Sequence, residues 1–142
     1  MKIVIDIAPH EPTLTALRQQ TDFQIELIEP PEERARELGT ARIQNADVLF
    51  CTVPPTNHAV MQNLKWIQIA SVGYTQLFGL DLPARAIRAT NARGCFDVPI
   101  AEWNIAMMIN LVRDMRQLIR NQDAAVWDRS AIFQRELRGA TV

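Results

Sequence analysis

Ala-Asp-Val-Leu-Phe-Cys-Thr-Val, residues 46–53, runs straight into Pro54 and Pro55. From Val48 the run is almost continuously apolar, without the alternation of a half-solvated strand, so it predicts a strand with both faces covered. The prolines stop it, because they can neither donate to a ladder nor continue it. Outward from this strand the pattern alternates. Toward the N-terminus, Ile3–Ile7 and Phe23–Ile28 read as strands, with helices over Pro12–Gln20 and from Pro31 through Leu38, the second ending at Gly39. Toward the C-terminus, a helix is expected from Pro55 to about Leu64. Strands follow at Trp66–Ala70 and Ile87–Thr90, with a short helical piece near Tyr74–Phe78 between them. Strands separated by helices imply crossover connections and a parallel sheet. The predicted class is α/β, a flavodoxin-like doubly wound sheet of about five strands.

The pattern changes after residue 98. Pro99–Arg120 reads as one helix about 33 Å long at 1.5 Å per residue, with Pro99 opening it, Glu102 in its first turn and Asp97 as its cap. Ile100–Val112 is apolar on nearly every side. Such a helix is expected to be buried all round, either against a second domain or subunit or as the central helix of one core. The segment Asn121–Arg135 reads as partly helical. The end, Leu137 to Val142, reads as a turn entering a new strand, from which a continuing parent chain is expected. The expected organisation is residues 1–98 as one domain, 99–136 as a long linking helix with a helical segment, and 137–142 as the start of a further domain.

Composition narrows the function classes. The 142 residues carry 15 Lys+Arg against 16 Asp+Glu, a formal net charge of -1, which favours neither nucleic acid nor an acidic membrane surface. No stretch approaches the length of apolar chain that spans a bilayer. Cys51 sits in the apolar strand and reads as a core residue, and Cys95 falls in a loop. No C-x-x-C is present, so no metal site is expected, and the setting implied is a reducing cytoplasm. The glycines, Gly39, Gly73, Gly79, Gly94 and Gly139, nowhere form the G-x-G-x-x-G turn of a dinucleotide site.

Two stretches are placed for chemistry. Ile67–Gly73 reads Ile-Gln-Ile-Ala-Ser-Val-Gly, a strand passing through Ser71, Val72 and Gly73 into a short helix. Parallel sheets bind ligands beyond the carboxyl ends of their strands. Backbone amides at a glycine and a helix start suit a small carboxylate, while the plain alternative is a glycine serving a tight turn. Thr90–Glu102 is a strand, a loop with Asn91 and Gly94, and a helix start, expected to lie beside the first loop. Arg85, Arg88 and Arg93 read as solvated surface or as steering charge for an anion. Glu32–Glu37 reads as a solvated, mixed-charge helix face. His58 reads as a surface or half-buried residue. His10 can reach the cleft but has no acidic partner for acid–base work.

Together "LKWIQIASVGYTQL" and "TNARGCFDVPIAEW", with Trp127 and "ELRGATV" after them, resemble the N-terminal domain of the D-isomer-specific 2-hydroxyacid dehydrogenases, from about residue 45 to 142 and more loosely before. The resemblance implies that amides of the loop Ser71, Val72 and Gly73 hold the substrate carboxylate. It implies that Ala101 and Glu102 open the helix crossing to a cofactor domain, and that Asn104 faces the nicotinamide, where relatives often carry Thr. Thr75 stands where they are often acidic. The implied ligands are a small 2-oxo or 2-hydroxy acid and NAD or NADP, and the implied assembly is a homodimer through the helix 99–120. The catalytic Arg, Glu and His would lie beyond Val142, leaving this chain inactive alone. The alternative is a stand-alone flavodoxin-like module that dimerises or binds a ligand without catalysis.

Overall fold

The structure, a computed structural model, describes residues 1–20, 22–130 and 134–141. It divides into two compact units, Met1–Gly94 and Cys95–Val142.

The first unit holds β1 (Lys2–Asp6), α1 (Glu11–Arg18), β2 (Gln24–Leu27), α2 (Thr40–Ile43), β3 (Val48–Cys51), β4 (Trp66–Ile69) and β5 (Arg88–Thr90). The five strands are parallel, in the order β2-β1-β3-β4-β5. This is the flavodoxin-like doubly wound arrangement expected. Ile3 pairs with Val48 and Val4 with Leu49, so successive residues of β1 and β3 feed opposite faces. Val4, Leu49, Ile67 and Ile69 enter one core with Ile43 and Met61. Ile3, Ile5 and Val48 enter a smaller one with Leu14 of α1. The continuous apolar reading of Val48–Cys51 is explained: both of its faces pack. Cys51 is fully buried. Burial, and behind it the Asp6 carboxylate, pushes its thiol up to about 12, which keeps it protonated and inert.

Two expected helices are absent. Residues 31–38 have no helix, because their polar groups are committed elsewhere. Leu38 N–H donates to Asn57 Oδ1 at 3.1 Å, and Asn57 Nδ2 donates to Leu38 O at 2.8 Å. Thr56 N–H donates to Arg36 O at 3.0 Å. The Arg36 guanidinium reaches the Asp6 carboxylate at 2.7 Å, and the carbonyls of Pro30 and Glu32 at 3.2 Å. Arg36 is therefore no solvated helix residue but the partner of a carboxylate that is only 2% exposed. Between Pro55 and Leu64 there is a single 3-10 turn, His58–Val60. Met61 N–H closes it on His58 O at 3.1 Å, Leu64 N–H donates to Met61 O at 3.3 Å, and both side chains enter the core.

The second unit holds α3 (Asp97–Val112) and α4 (Met115–Asp123). The single helix expected over Pro99–Arg120 is two. Asp114 takes the left-handed conformation, φ 44° and ψ 53°, and its side chain accepts from Gln117 N–H. Aspartate is among the few residues that visit this conformation readily, and it is a strong helix cap. Asp97 is not a cap either. Phe96 holds that position without a side-chain bond, and Asp97 is the first helical residue, which places Glu102 in the second turn. No residue of α3 is buried: Trp103 is 63% and Leu111 80% exposed. This overturns the reading of α3 as a central core helix, and the expected burial on every side is not supplied within the described chain. Leu137–Ala140 forms a turn closed by Ala140 N–H on Leu137 O. No strand follows among the described residues, and Val142 lies outside them.

Candidate functional site

β4 and β5 are neighbours, with Gln68 opposite Thr90, so the chain leaves the carboxyl edge of the sheet at two adjacent points. One exit is Ser71–Gly73 and the other is Asn91–Ala92. The expected juxtaposition of the two loops is observed, and hydrogen bonds make it specific. Ala92 N–H donates to Ser71 O at 3.0 Å. Asn91 Nδ2 donates to Val72 O at 2.8 Å. Ser71 Oγ donates to Gly73 O at 2.8 Å. All three carbonyls of the loop are thereby occupied.

The amides behave differently. Among the described residues, the N–H groups of Val72 and Gly73 have no hydrogen-bond partner. In a planar trans peptide the N–H points opposite to the C=O of the preceding residue, and these peptides are trans. The carbonyls of Ser71 and Val72 are both held by the Asn91–Ala92 loop, so the amides of Val72 and Gly73 are both turned away from it. Two consecutive donors on one side make an edge of the kind that suits an anion. Val72 is 42% exposed, so this edge is reachable from solvent.

Gly73 bears on the choice between ligand loop and tight turn. Its φ is not positive, unlike that of Gly79 at 78° and Gly94 at 86°. A Cβ added at Gly73 would meet nothing within 4 Å. Neither backbone strain nor packing among the described residues demands glycine here, and the missing Cβ leaves the adjacent amides open to close approach. The expected contribution of a helix start is not seen. The element that follows is one 3-10 turn, Thr75–Leu77, too short to carry a useful dipole. The site is built from loop amides alone.

The remaining expected residues are placed as follows. Asn104 is an exposed residue of α3, in the second unit. His10 is exposed, with Nδ1 2.9 Å from Thr13 Oγ1 and no acidic partner. It borders a cavity of about 300 Å³ lined otherwise mainly by apolar groups of β1, the loop that follows it, β3 and α1. His58 is half-buried, its Nδ1 3.2 Å from Pro55 O. Arg85 is tied to Met61 O at 2.8 Å, while Arg88 and Arg93 are exposed. Reading the sequence missed Asp6, which pairs with Arg36, and Gln76, which donates to the Ser71 hydroxyl. The signal available for Gln76 was only its distance of five residues from Ser71. Among the described residues no group of His, Cys, Asp and Glu is arranged to hold a metal, and no helix is long and apolar enough to cross a membrane.

No family model matches the chain. It is 30% identical over 95 residues to the erythronate-4-phosphate dehydrogenase of Shewanella amazonensis, a match covering 64% of this chain and 25% of that protein. Its fold is similar to that of D-lactate dehydrogenase from Aquifex aeolicus in complex with NAD and lactic acid, at TM-score 0.74 and 16% identity, over 96% of this chain and 41% of that one. It is equally similar to the NADPH-dependent glyoxylate/hydroxypyruvate reductase of Sinorhizobium meliloti, at TM-score 0.73 and 21% identity, over 97% of this chain and 44% of that one. The chain thus spans a quarter of the curated relative's length and less than half of each of these solved chains. In sequence and in fold it is similar to the D-isomer-specific 2-hydroxyacid dehydrogenases, as its motifs imply.

Proposed function

We propose that this chain is the substrate-holding part of an NAD(P)-dependent 2-hydroxyacid dehydrogenase of the D-isomer-specific family. In the whole enzyme, reduction of a small 2-oxo acid consumes one hydride from NAD(P)H and one proton, and yields the 2-hydroxy acid. The role of this chain is to hold the substrate carboxylate on the Val72 and Gly73 amides. The observation that carries the reading is the pair of pinned carbonyls, which turns two consecutive N–H groups away from the neighbouring loop. Backbone amides suit this task because they are fixed before the ligand arrives and cannot ionise.

The residues present do not fit a dinucleotide, since none of the five glycines makes the required turn. The proton-transfer groups and the nucleotide site are assigned to a further domain of the parent, and this chain alone is inactive. Asn104 is then a contact to the cofactor in the assembled enzyme, and the exposed apolar surface of α3 the face on which two copies associate. A reducing cytoplasmic setting accompanies the reading, and both cysteines are free. The same α3 surface also supports a second reading, a dimerising module without catalysis.

Amide NMR of the 142-residue chain separates the two. Glyoxylate is expected to shift the Val72 and Gly73 resonances saturably. Gly73→Ala is expected to abolish that response with stability unchanged within about 0.5 kcal/mol, because its methyl occupies space that nothing in the fold uses. Unchanged glyoxylate binding by Gly73→Ala, or turnover of glyoxylate with NADH or NADPH by the chain alone, sinks the proposal.

A further inference from the structure

The amide edge needs something to hold Ser71 in place, and the structure assigns this to Gln76 as a positioning residue. The inference rests on the carboxylate reading of the loop. The side-chain amide of Gln76 donates twice, to Thr52 O at 3.0 Å and to Ser71 Oγ at 2.8 Å. Thr52 O can only accept, which sets Nε2 rather than Oε1 on that side. With its oxygen occupied by Gln76, the Ser71 hydroxyl turns its proton to Gly73 O. A chain of three hydrogen bonds therefore runs from the end of β3, through two side chains, to the last carbonyl of the loop. It crosses from one strand exit to the next. The Asn91–Ala92 loop clamps the same segment from the β5 side.

The amide edge is thus clamped from both neighbouring strands, and only its donor side is left free. A loop held at one end alone would let the Ser71–Val72 and Val72–Gly73 peptides rotate, and the two donors would no longer point together. Gln76 is partly buried and touches none of the donors itself, so its effect on a ligand passes through Ser71.

Gln76→Glu tests this, because it keeps the shape and removes both donors. Two quantities are read in the 142-residue chain: hydrogen-exchange protection of the Ala92 amide, which reports the Ser71 carbonyl, and the glyoxylate concentration that half-saturates the Val72 and Gly73 shifts. Protection is expected to fall, and the half-saturating concentration to rise, by about five- to tenfold, the loss of one or two ordinary hydrogen bonds. Core amides such as Val4, Leu49 and Ile67 should keep their resonances, which separates loop positioning from general damage. If Gln76→Glu loses the fold, Gln76→Ala reads the same quantities with Thr52 O open to water. Unaltered protection and unaltered half-saturation overturn the assignment. The parent reading fails separately: a wild-type loop that does not respond to glyoxylate rules out the carboxylate role, while reduced Ala92 protection in Gln76→Glu would still establish Gln76 as the anchor of the loop.

Discussion

Val48–Cys51 and Ile100–Val112 are both apolar runs, and they have opposite fates. The first is a strand with neighbours on either side and cores above and below it. The second is a helix without one buried residue. Hydropathy says that a segment needs a partner, but not whether the partner belongs to the same unit. A strand in the middle of a parallel sheet must find its partners within the sheet. A helix satisfies its own backbone, so its apolar side chains can wait for a surface supplied by another domain or subunit.

The largest expected effect tests the two runs directly. Leu49→Ala, at a fully buried position, should cost about 3 kcal/mol in urea unfolding. Leu111→Ala, 80% exposed, should stay within about 0.5 kcal/mol. Equal losses would place Leu111 in a core and remove the contrast. An intermediate effect concerns what covers α3. If copies associate there, Trp103→Ala should weaken the dimer about tenfold in sedimentation equilibrium, with the urea midpoint of the first unit unmoved. A monomer at all concentrations in the wild type ends that reading.

The smallest effect lies at the polar rim of the buried region. Asp47 accepts from Lys65 Nζ at 2.8 Å and from Lys2 N–H at 2.9 Å, and these bonds, that to Lys65 foremost, hold its carboxyl below the usual range. A depressed folded-state value adds stability that is fully present above the unfolded value. It is lost as pH falls through the folded one. Stability should therefore decline below about pH 4, and Asp47→Asn should flatten that acid limb by a small amount. The same limb in both proteins would remove Asp47 from the account.

The legible parts of the sequence were the local ones. Strand positions follow from apolar runs and the prolines that end them, and the exit of β4 at Ser71 follows from Ile67–Gly73. The illegible parts depend on distant groups. Residues 31–38 have a proline and charges suited to a helix, yet Asn57, Thr56 and Asp6 take up their polar groups from 19 to 30 residues away in sequence. Asp114 breaks a pattern that hydropathy carries through without interruption, because a backbone angle leaves no mark on periodicity. Gly73 was visible as a glycine. That it is neither a strained turn nor a packing necessity needed its φ and its empty surroundings.

By itself the sequence determined that this protein is a parallel α/β sheet with an apolar helical segment after it, since strand and helix periods are properties of neighbouring residues. The tertiary structure alone decided which backbone donors remain unpaired. The partners that occupy the carbonyls of Ser71, Val72 and Gly73 include Asn91 and Ala92 on the next strand's exit. Two donors face the same way only when folding brings those partners to the opposite side of the same peptides.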